Sequence, residues 1–244
     1  MSFEQLSNIL TTNYPLFLRG AGTTLYISLL GTLIGLVIGL LLGIVRTIPQ
    51  PEQGWKKALL RTIHFVTSCY IEFFRGTPMI VQAMVIYYGS AMAFGIDMNR
   101  IFAAIFIVSI NTGAYMTEIV RGGIVAIDPG QFEAAHAIGM THWQTMINIV
   151  LPQTLRNILP ATGNEFVINI KDTSVLSVIS VSELFFQANT VSGTNYNYFG
   201  TYTVVSIMYL IMTFTLTRIL RRLERKMEGP KEYELIGGNQ MQVE

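Results

Sequence analysis

The sequence has little charge and almost no cysteine. Charged residues make up 13% of its 244 residues, about half the share of an average soluble protein. Cys69 is the only cysteine, so no disulfide can form within the chain. The net charge of +1 creates no basic field that would attract nucleic acid. There is also no zinc-type Cys/His spacing and no glycine-rich phosphate loop. These absences leave no support for a disulfide scaffold, a nucleic-acid partner, a metal site or a bound nucleotide.

The N-terminus lacks the features of a cleaved signal peptide. Residues 1–18 contain no Lys or Arg, and Arg19 is the first basic residue. The apolar run that follows is too long for a signal peptide, and it has no small-residue cleavage site. We therefore expect this run to be retained as a transmembrane helix.

Apolar residues, in contrast, make up 51% of the chain. They are concentrated in runs near the length of about 20 residues that spans a bilayer as a helix. A helix satisfies its own backbone hydrogen bonds in lipid, whereas an isolated strand does not. The sequence therefore predicts an all-α membrane bundle of five transmembrane helices rather than a soluble protein with a large core. The predicted spans are 25–48, 79–95, 101–125, 161–181 and 202–220.

The distribution of basic residues predicts the orientation of these spans. Lys and Arg concentrate on the cytoplasmic side of membrane proteins. They cluster after the first span and at the end of the fifth, whereas the connection 187–198 has no charge and is expected outside. The N-terminus is then outside and the C-terminus inside, which places the connection 126–160 in the cytoplasm. Residues 49–75 mix charged and apolar residues and are expected to form a partly amphipathic interfacial helix.

The connection between the third and fourth spans has a pattern of its own. Residues 128–152 read DPGQFEAAHAIGMTHWQTMINIVLP. Asp128 and Pro129 are typical of a helix start. Gly139 interrupts the helix and permits a turn, and a second helical stretch is expected to end at Leu151 and Pro152. Spacing alone favours an ordinary pair of interfacial helices.

The residues of this connection resemble the EAA loop of ABC importer permeases. The resemblance implies a coupling helix that docks on a separate ATP-hydrolysing subunit. In that role Glu133 makes a polar contact, the two alanines allow close packing and the glycine provides the turn. His136 is expected to contact the same partner. The matching positions are Glu133, Ala134, Ala135, Gly139, Ile149, Leu151 and Pro152.

Three further stretches are similar to the polar amino acid permeases, which handle histidine, arginine, glutamine, glutamate and cystine. These stretches are 74–82 (FRGTPMIVQ), 113–123 (GAYMTEIVRGG) and 164–179 (NEFVINIKDTSVLSVI). The resemblance extends over about 23–228, and the chain departs from the family pattern in a longer stretch at 50–57 and in a polar tail. It implies one permease domain, 1–228, followed by a cytoplasmic tail, 229–244.

The resemblance also implies a set of partners. They are two ATP-binding subunits, a second permease chain that is identical or related, membrane lipid, and an extracytoplasmic solute-binding protein that delivers a polar amino acid. The expected location is a bacterial cell (inner) membrane. Because the chain has no ATP-binding motif, we expect it to be no enzyme and to hold no cofactor, with ATP and magnesium bound by the partner ATPase.

Ionisable residues within the predicted spans are candidates for function, because placing them in lipid costs at least ~2.5 kcal/mol each near the centre. In the third span, Glu118 and Arg121 are three residues apart and can form an internal ion pair. In the fourth span, Glu165, Asn169 and Asp172 share one helix face. The Glu165 carboxylate is a candidate for binding a substrate ammonium or guanidinium group, although a structural role stays open.

The remaining candidates lie beside that face or on the neighbouring spans. Lys171 either receives a substrate carboxylate or neutralises Asp172. Arg75 is expected to be an interface anchor, and Gln82 to face the pore. An acidic Glu165 favours basic or neutral polar amino acids over acidic ones. The full set of predicted substrate-binding residues is Glu165, Asn164, Asn169, Asp172, Lys171, Asn111, Gln82 and Thr77.

Two alternatives belong to other functional classes. A secondary transporter or channel driven by an ion gradient would explain the charges within the spans, but it has no need for the loop 133–152. A membrane-embedded enzyme would need a nucleophile with a base or a metal cluster, and the sequence has neither pattern. The three histidines are scattered, and we expect no metal site.

Overall fold

The protein is built from helices, as the sequence predicts. The computed structural model describes residues 3–49 and 54–227, and this part of the chain contains no β-strand. A π-helical turn, Met146–Val150, joins α6 to α7, and a 3-10 helix, Thr173–Ile179, follows α7. The helices in the described part are α1 (Phe3–Arg46), α2 (Trp55–Gly76), α3 (Met79–Phe94), α4 (Arg100–Val125), α5 (Pro129–Ala137), α6 (His142–Thr145), α7 (Leu151–Asp172), α8 (Leu184–Asn195) and α9 (Tyr198–Met227).

Three of these helices, α1, α4 and α9, are long and apolar enough to cross a membrane. Two bent pairs are further candidates. In one, α2 and α3 meet at 111°, and in the other the helical run His142–Ile179 meets α8 at 56°. The described residues therefore supply three spans, or five if each bent pair crosses as one element. Helix α3 alone has 16 residues, and its length of about 24 Å is less than the ~30 Å hydrocarbon core.

Helix α1 begins far earlier than the sequence predicts, at Phe3 rather than at residue 25. Its 44 residues extend over about 66 Å, more than twice the thickness of the hydrocarbon core. The added outer part is held by tertiary packing, because Ile9, Phe17 and Ala21 are buried against α8 and α9. A hydropathy pattern detects only the lipid-facing part of such a helix.

The prediction that a helix ends at Leu151 and Pro152 is wrong. The chain stays helical from His142 to Ile179. Pro152 lies in the first turn of α7, where its missing N–H has little cost. The preceding π-helical turn contains a hydrogen bond that spans five residues, from the Leu151 N–H to the Met146 carbonyl. Pro160 also lies inside α7.

The connection 187–198 contains a helix that the sequence analysis did not predict, because α8 occupies most of it. The Glu183 carboxyl group caps this helix, with its oxygens accepting the N–H groups of Phe185 at 2.8 Å and Phe186 at 2.6 Å. The Tyr209 hydroxyl of α9 donates to the same carboxyl at 3.1 Å. The Thr24 hydroxyl of α1 accepts the N–H of Leu184 at 3.2 Å. Glu183 is fully buried and so joins α1, α8 and α9 at one point.

Helices α1 and α4 pack in direct backbone contact along a glycine stripe, defined by Gly31, Gly35, Gly39 and Gly43 at every fourth position of α1. A Cβ atom added at Gly35 would lie 2.9 Å from the Thr112 side chain, and one at Gly43 would lie 2.7 Å from Val120. At Gly39 it would lie 2.7 Å from the Met116 backbone carbon. Small residues at this spacing allow two membrane helices to approach closely.

Helix α2 agrees with the predicted helix over 49–75, although it begins only at Trp55 and residues 50–53 lie outside the described part. Its inner side is fixed to α4, because the Tyr70 hydroxyl donates to the Ile110 carbonyl at 2.5 Å and Ile71 is buried. The predicted polar tail, 229–244, also lies outside the described residues. Its boundary with the permease domain stays a prediction.

We predict that the substitution Gly39→Ala destabilises the protein by about 1–3 kcal/mol, the usual cost of overpacking a tight interface. The added methyl group would collide with Met116 and push α1 away from α4. The matched control is Gly22→Ala in the same helix, where no atom lies within 4 Å of the added group. Melting temperatures of the purified full chain in detergent test this, and equal melting temperatures for the two variants would contradict the prediction.

Candidate functional site

The segment 128–145 folds as a helix, a turn and a short second helix. The Asp128 side chain accepts the Gly130 N–H at 2.8 Å and begins α5, as predicted. Gly139 adopts a left-handed backbone, with φ of 82°, and makes the predicted turn. The Met140 N–H donates back to the Ala135 carbonyl at 3.0 Å, which closes the end of α5. Thr141 then caps α6 in a reciprocal capping box with Gln144.

One side of this segment is open to solvent. Glu133, Ala134 and His136 are exposed on α5, whereas Ala135 is buried. Beside them Ile138 is 78% exposed and Trp143 is 61% exposed. Exposed apolar surface beside polar groups is typical of sites that contact another protein or a membrane. We call this surface, formed by Glu133, Ala134, His136, Ile138 and Trp143, the α5–α6 patch.

The other side of the segment is anchored to the membrane helices. Met146 and Val150 are buried in one apolar cluster with Val120 and Ile124 at the end of α4. Phe132 of α5 packs against the same cluster, as does Leu151. Ile149 is half-buried and Pro152 is exposed. Helix α5 of the α5–α6 patch is therefore packed on the end of α4 through Phe132, and Trp143 lies on the helical run that continues from α6 into α7.

An ion cluster lies near the same end of α4. The Glu118 carboxylate pairs with Arg121 at 3.0 Å, which confirms the predicted internal ion pair. Glu118 also accepts from Arg46 at the end of α1, at 2.8 Å. The sequence analysis missed Arg46 as a partner, because a long sequence separation hides a contact between two helices. The cluster fixes the ends of α1 and α4 relative to each other.

The predicted residues Thr77, Gln82 and Asn111 form one polar network where α2 meets α3. The Gln82 amide donates to the carbonyls of Phe74 and Thr77 and to the Thr77 hydroxyl, each at 2.9 Å. The Asn111 amide donates to Gln82 at 2.9 Å and to the Phe74 carbonyl at 3.3 Å. Gln82 is 3% exposed. In this conformation the network satisfies the last carbonyls of α2 and stabilises the sharp bend into α3.

The predicted residue Asn169 also uses its amide for helix packing. It is buried, with its amide group donating to Thr32 of α1 at 2.9 Å and to Thr112 of α4 at 3.0 Å. The Thr112 hydroxyl and the Asn169 carbonyl oxygen are also within hydrogen-bond distance, at 3.2 Å. Three helices thus meet at this side chain. Its predicted role in substrate binding is separate from this contact and stays a prediction.

The charged residues predicted on α7 lie on its more accessible side. Glu165 is half-buried, and Lys171 and Asp172 are exposed. Asp172 and Arg75 both act electrostatically on Glu165, and Lys171 acts on Asp172. Asn164 lies on a neighbouring side of the helix. It lines a cavity of about 210 Å³ whose other lining residues include Arg221 and Glu224 of α9.

Arg75 contacts an aromatic ring of α4, and its expected role as an interface anchor stays a prediction. Its guanidinium carbon lies 5.4 Å above the centre of the Tyr115 ring of α4, a cation–π contact. The stretch 113–123 was singled out in the sequence, but Tyr115 itself was missed. A signal was available, because Tyr115 lies at i+4 from Asn111 and therefore shares its helix face.

The predicted residues thus fall into separate groups. The structure brings Thr77, Gln82 and Asn111 together, and it brings Glu165, Asp172 and Lys171 near one another, whereas Asn169 and Asn164 have different neighbours. In the part of the chain that the structure describes, no group of three or more His, Cys, Asp and Glu side chains could hold a metal.

Comparison with known proteins gives consistent matches. Residues 58–229 match the family model described as binding-protein-dependent transport system inner membrane component. The glutamine transport system permease protein GlnP of Escherichia coli K12 is 42% identical over 88% of this chain and 94% of its own length. The arginine transport system permease protein ArtQ of Bacillus subtilis is 33% identical over 71% of this chain and 80% of its own length.

Two solved structures of ABC transporters have a similar fold. The chain matches the crystal structure of an amino acid ABC transporter with histidines at 38% identity and a TM-score of 0.80, covering 93% of this chain and all of that chain. It also matches an inward-facing MetNI methionine ABC transporter with a TM-score of 0.70, over 87% of this chain and 96% of that chain. At 22% identity the second match concerns the fold alone.

We predict that Asn169→Ala lowers the free energy of unfolding by about 1–2 kcal/mol, because it removes hydrogen bonds that join three helices. Asn164→Ala is the control on the same helix, since Asn164 is exposed and its loss should change stability by no more than about 0.5 kcal/mol. Thermal unfolding of both variants in detergent measures the difference. Similar losses at the two positions would show that Asn169 is not the packing residue described above.

Proposed function

The chain belongs to the family of binding-protein-dependent transport system inner membrane components, and we propose that it is the permease subunit of an ATP-driven importer for polar amino acids. The observation that carries this proposal is the α5–α6 patch. It combines a capped helix of the EAA pattern with exposed Ile138 and Trp143. Such a surface suits a separate motor protein better than it suits solvent or lipid.

The packing supports a mechanical role for this segment. Helix α5 is capped at both ends, and Phe132 packs on the cluster that holds the end of α4. A force applied to Glu133 or Ala134 is therefore transmitted to α4 and, along the continuous helical run from His142, to α7. In the proposed cycle, ATP binding closes two ATPase subunits and moves α5. The membrane helices then change from an inward-facing to an outward-facing state.

The chemistry of ATP belongs to the partner in this proposal. ATP and magnesium bind to two separate ATP-binding subunits, and this chain holds no cofactor and is no enzyme. A second permease chain, identical or related, completes the transport path, and an extracytoplasmic binding protein delivers the substrate. The N-terminus lies outside and the C-terminus inside a bacterial cell membrane. These assignments follow the family, whose members work as subunits of binding-protein-dependent systems.

The proposed substrate is a polar amino acid. Relatives at 42% and 33% identity carry names that refer to glutamine and arginine transport. Glu165 of α7 is half-buried and acidic, which favours a substrate with an ammonium or guanidinium group. Transport further requires that the substrate bind the outward-facing and inward-facing states with different free energies.

An importer of this class is expected to require ATP. Reconstituted proteoliposomes that contain the chain, its ATPase subunits and the binding protein should take up labelled amino acid only when ATP is hydrolysed. A pH or sodium gradient without ATP should drive no uptake. Uptake driven by the gradient alone would favour the alternative, a self-sufficient secondary transporter, and would refute the proposal.

Glu133 provides a sharper test of the coupling surface. We predict that Glu133→Leu lowers the amount of amino acid imported per ATP hydrolysed by about tenfold, a typical loss for a central interface residue. The matched control is Gln131→Leu, because Gln131 is exposed on the same helix but lies outside the EAA pattern. Uptake and ATP hydrolysis are measured on the same proteoliposomes. Normal coupling in Glu133→Leu would exclude the docking role of this residue.

A further inference from the structure

A polar cavity lies at the end of the bundle where α4 begins. Its volume is about 480 Å³, and four separate parts of the chain line it. They are Arg19 and Thr23 of α1, Tyr87 of α3, the stretch 97–101 that leads into α4, and the stretch 180–182 between the 3-10 helix and α8. We call this space the arginine cavity, because both Arg19 and Arg100 line it.

The packing of α1 on α4 places the two arginines at a similar level. The glycine stripe keeps these helices in a constant parallel register, with Gly31 on Val108. Extended by about two helical turns toward the N-terminus, this register places Thr23 beside Arg100 and Arg19 one turn beyond. Both arginines are exposed, so a group that enters the cavity can contact both.

Apolar packing closes the inner end of the arginine cavity. Tyr87, Met98 and Ile101 line the cavity and pack against a buried apolar cluster that contains Ile27. Val181 also lines the cavity, belongs to the same cluster and is fully buried. A free amino acid would have to lose the hydration of its charges to cross this layer. In this conformation the cavity is therefore separated from the interior of the bundle.

Local hydrogen bonds fix the walls of the cavity. The Asn99 side chain accepts the N–H of Ile101 at 2.9 Å and that of Phe102 at 3.3 Å, beside Arg100. Ser180 has a left-handed backbone, with φ of 59°. Its N–H donates to a carbonyl of the preceding 3-10 helix at 2.9 Å. The side chains of the arginine cavity therefore project from backbone that is held in place.

The charges of the arginine cavity are unbalanced. It contains two guanidinium groups and one carboxylate, that of Asp97. Among the residues that the structure describes, no nitrogen–oxygen contact of 4.0 Å or less joins Arg19 or Arg100 to an acidic group. A guanidinium group is weakly hydrated and binds a carboxylate through two parallel hydrogen bonds. The cavity therefore suits a carboxylate that arrives from another molecule.

We propose that the arginine cavity is the docking site for an acidic side chain of the extracytoplasmic binding protein, with Arg19 and Arg100 binding an aspartate or glutamate of that partner. The inference rests on the proposed function, whose orientation places this end of the bundle outside the membrane. Most of the lining residues are polar, which suits a protein side chain better than a lipid chain. A free amino acid bound there would have no onward path through the apolar layer.

Docking at this position reaches the helical run that carries the candidate substrate residues. The stretch 180–182 directly follows the run His142–Ile179. This run includes Glu165 of α7, and its other end carries Trp143 of the α5–α6 patch. A binding protein seated in the arginine cavity therefore contacts one end of the run, whereas the proposed motor contacts the other.

The test measures binding to the full-length chain, co-purified with its ATPase subunits in nanodiscs of phosphatidylcholine. The probe is the substrate-loaded binding protein of the same system, followed by surface plasmon resonance. The double substitution Arg19→Gln and Arg100→Gln should weaken binding by roughly tenfold, mainly through slower association. Raising the ionic strength from about 0.01 M to about 0.15 M shortens the Debye length from about 30 Å to about 8 Å. This change should weaken binding of the unsubstituted chain more than binding of the double variant.

Controls separate a contact with the partner from a change in folding. Arg61→Gln removes an exposed arginine that does not line the cavity and should leave the affinity unchanged. Arg100→Lys keeps the positive charge and should lose less affinity than Arg100→Gln. Arg100→Glu should be rescued when one acidic surface residue of the binding protein is changed to lysine, because the charges of the pair are then exchanged.

Three results would overturn the inference. One is an equal affinity of the double variant and Arg61→Gln. The second is a loss that occurs only in nanodiscs with phosphatidylglycerol, which would assign the cavity to a lipid headgroup. The third is weaker binding of free L-glutamine or L-arginine with an unchanged affinity for the binding protein. In each case ATP-driven uptake by the unsubstituted chain would leave the proposed function intact. If that chain imports no amino acid with ATP, the proposed function fails and the inference fails with it.

Discussion

The close contact between α1 and α4 is the constraint on which the rest of the structure depends. Four glycines at every fourth position of α1 face Val108, Thr112, Met116 and Val120 of α4, so the two helices pack backbone to backbone and in parallel. Van der Waals contact of this kind replaces the hydrophobic effect as the source of association between helices in lipid. The pair is joined again by the Arg46–Glu118 ion pair at one end. It forms the rigid centre against which the remaining helices pack.

Different faces of α4 contact different functional parts of the protein. One face of α4 carries Asn111, Tyr115 and Glu118. This face contacts the bend between α2 and α3, the Arg75 guanidinium and the two arginines of the ion cluster. Thr112 and Met116 lie on the side that contacts α7. The far end of the same helix holds the segment that carries the α5–α6 patch. Helix α4 therefore packs against α7, which carries the proposed substrate-binding Glu165, and at its far end against the segment of the proposed motor contact.

Local chemistry explains which parts of this arrangement could be predicted from the sequence. The start of α5 at Asp128 and the turn at Gly139 were predicted because caps and left-handed turns depend on a few neighbouring residues. The outer part of α1 and all of α8 were missed because their stability comes from burial against distant helices, with Leu184, Ala188 and Val191 as the buried side of α8. The polar side chains on the spans were identified, but their partners were not, since Thr32 and Asn169 are 137 residues apart.

The buried carboxyl group of Glu183 has a consequence for how the chain is made. Its hydrogen bonds come from its own helix and from Tyr209 of α9, beside a contact with α1. A carboxyl group in lipid without partners costs several kcal/mol. The first and last helices must therefore assemble around it before the nascent protein is stable in the membrane. Until synthesis has passed Tyr209, the Glu183 carboxyl group lacks the hydroxyl that donates to it in the folded protein.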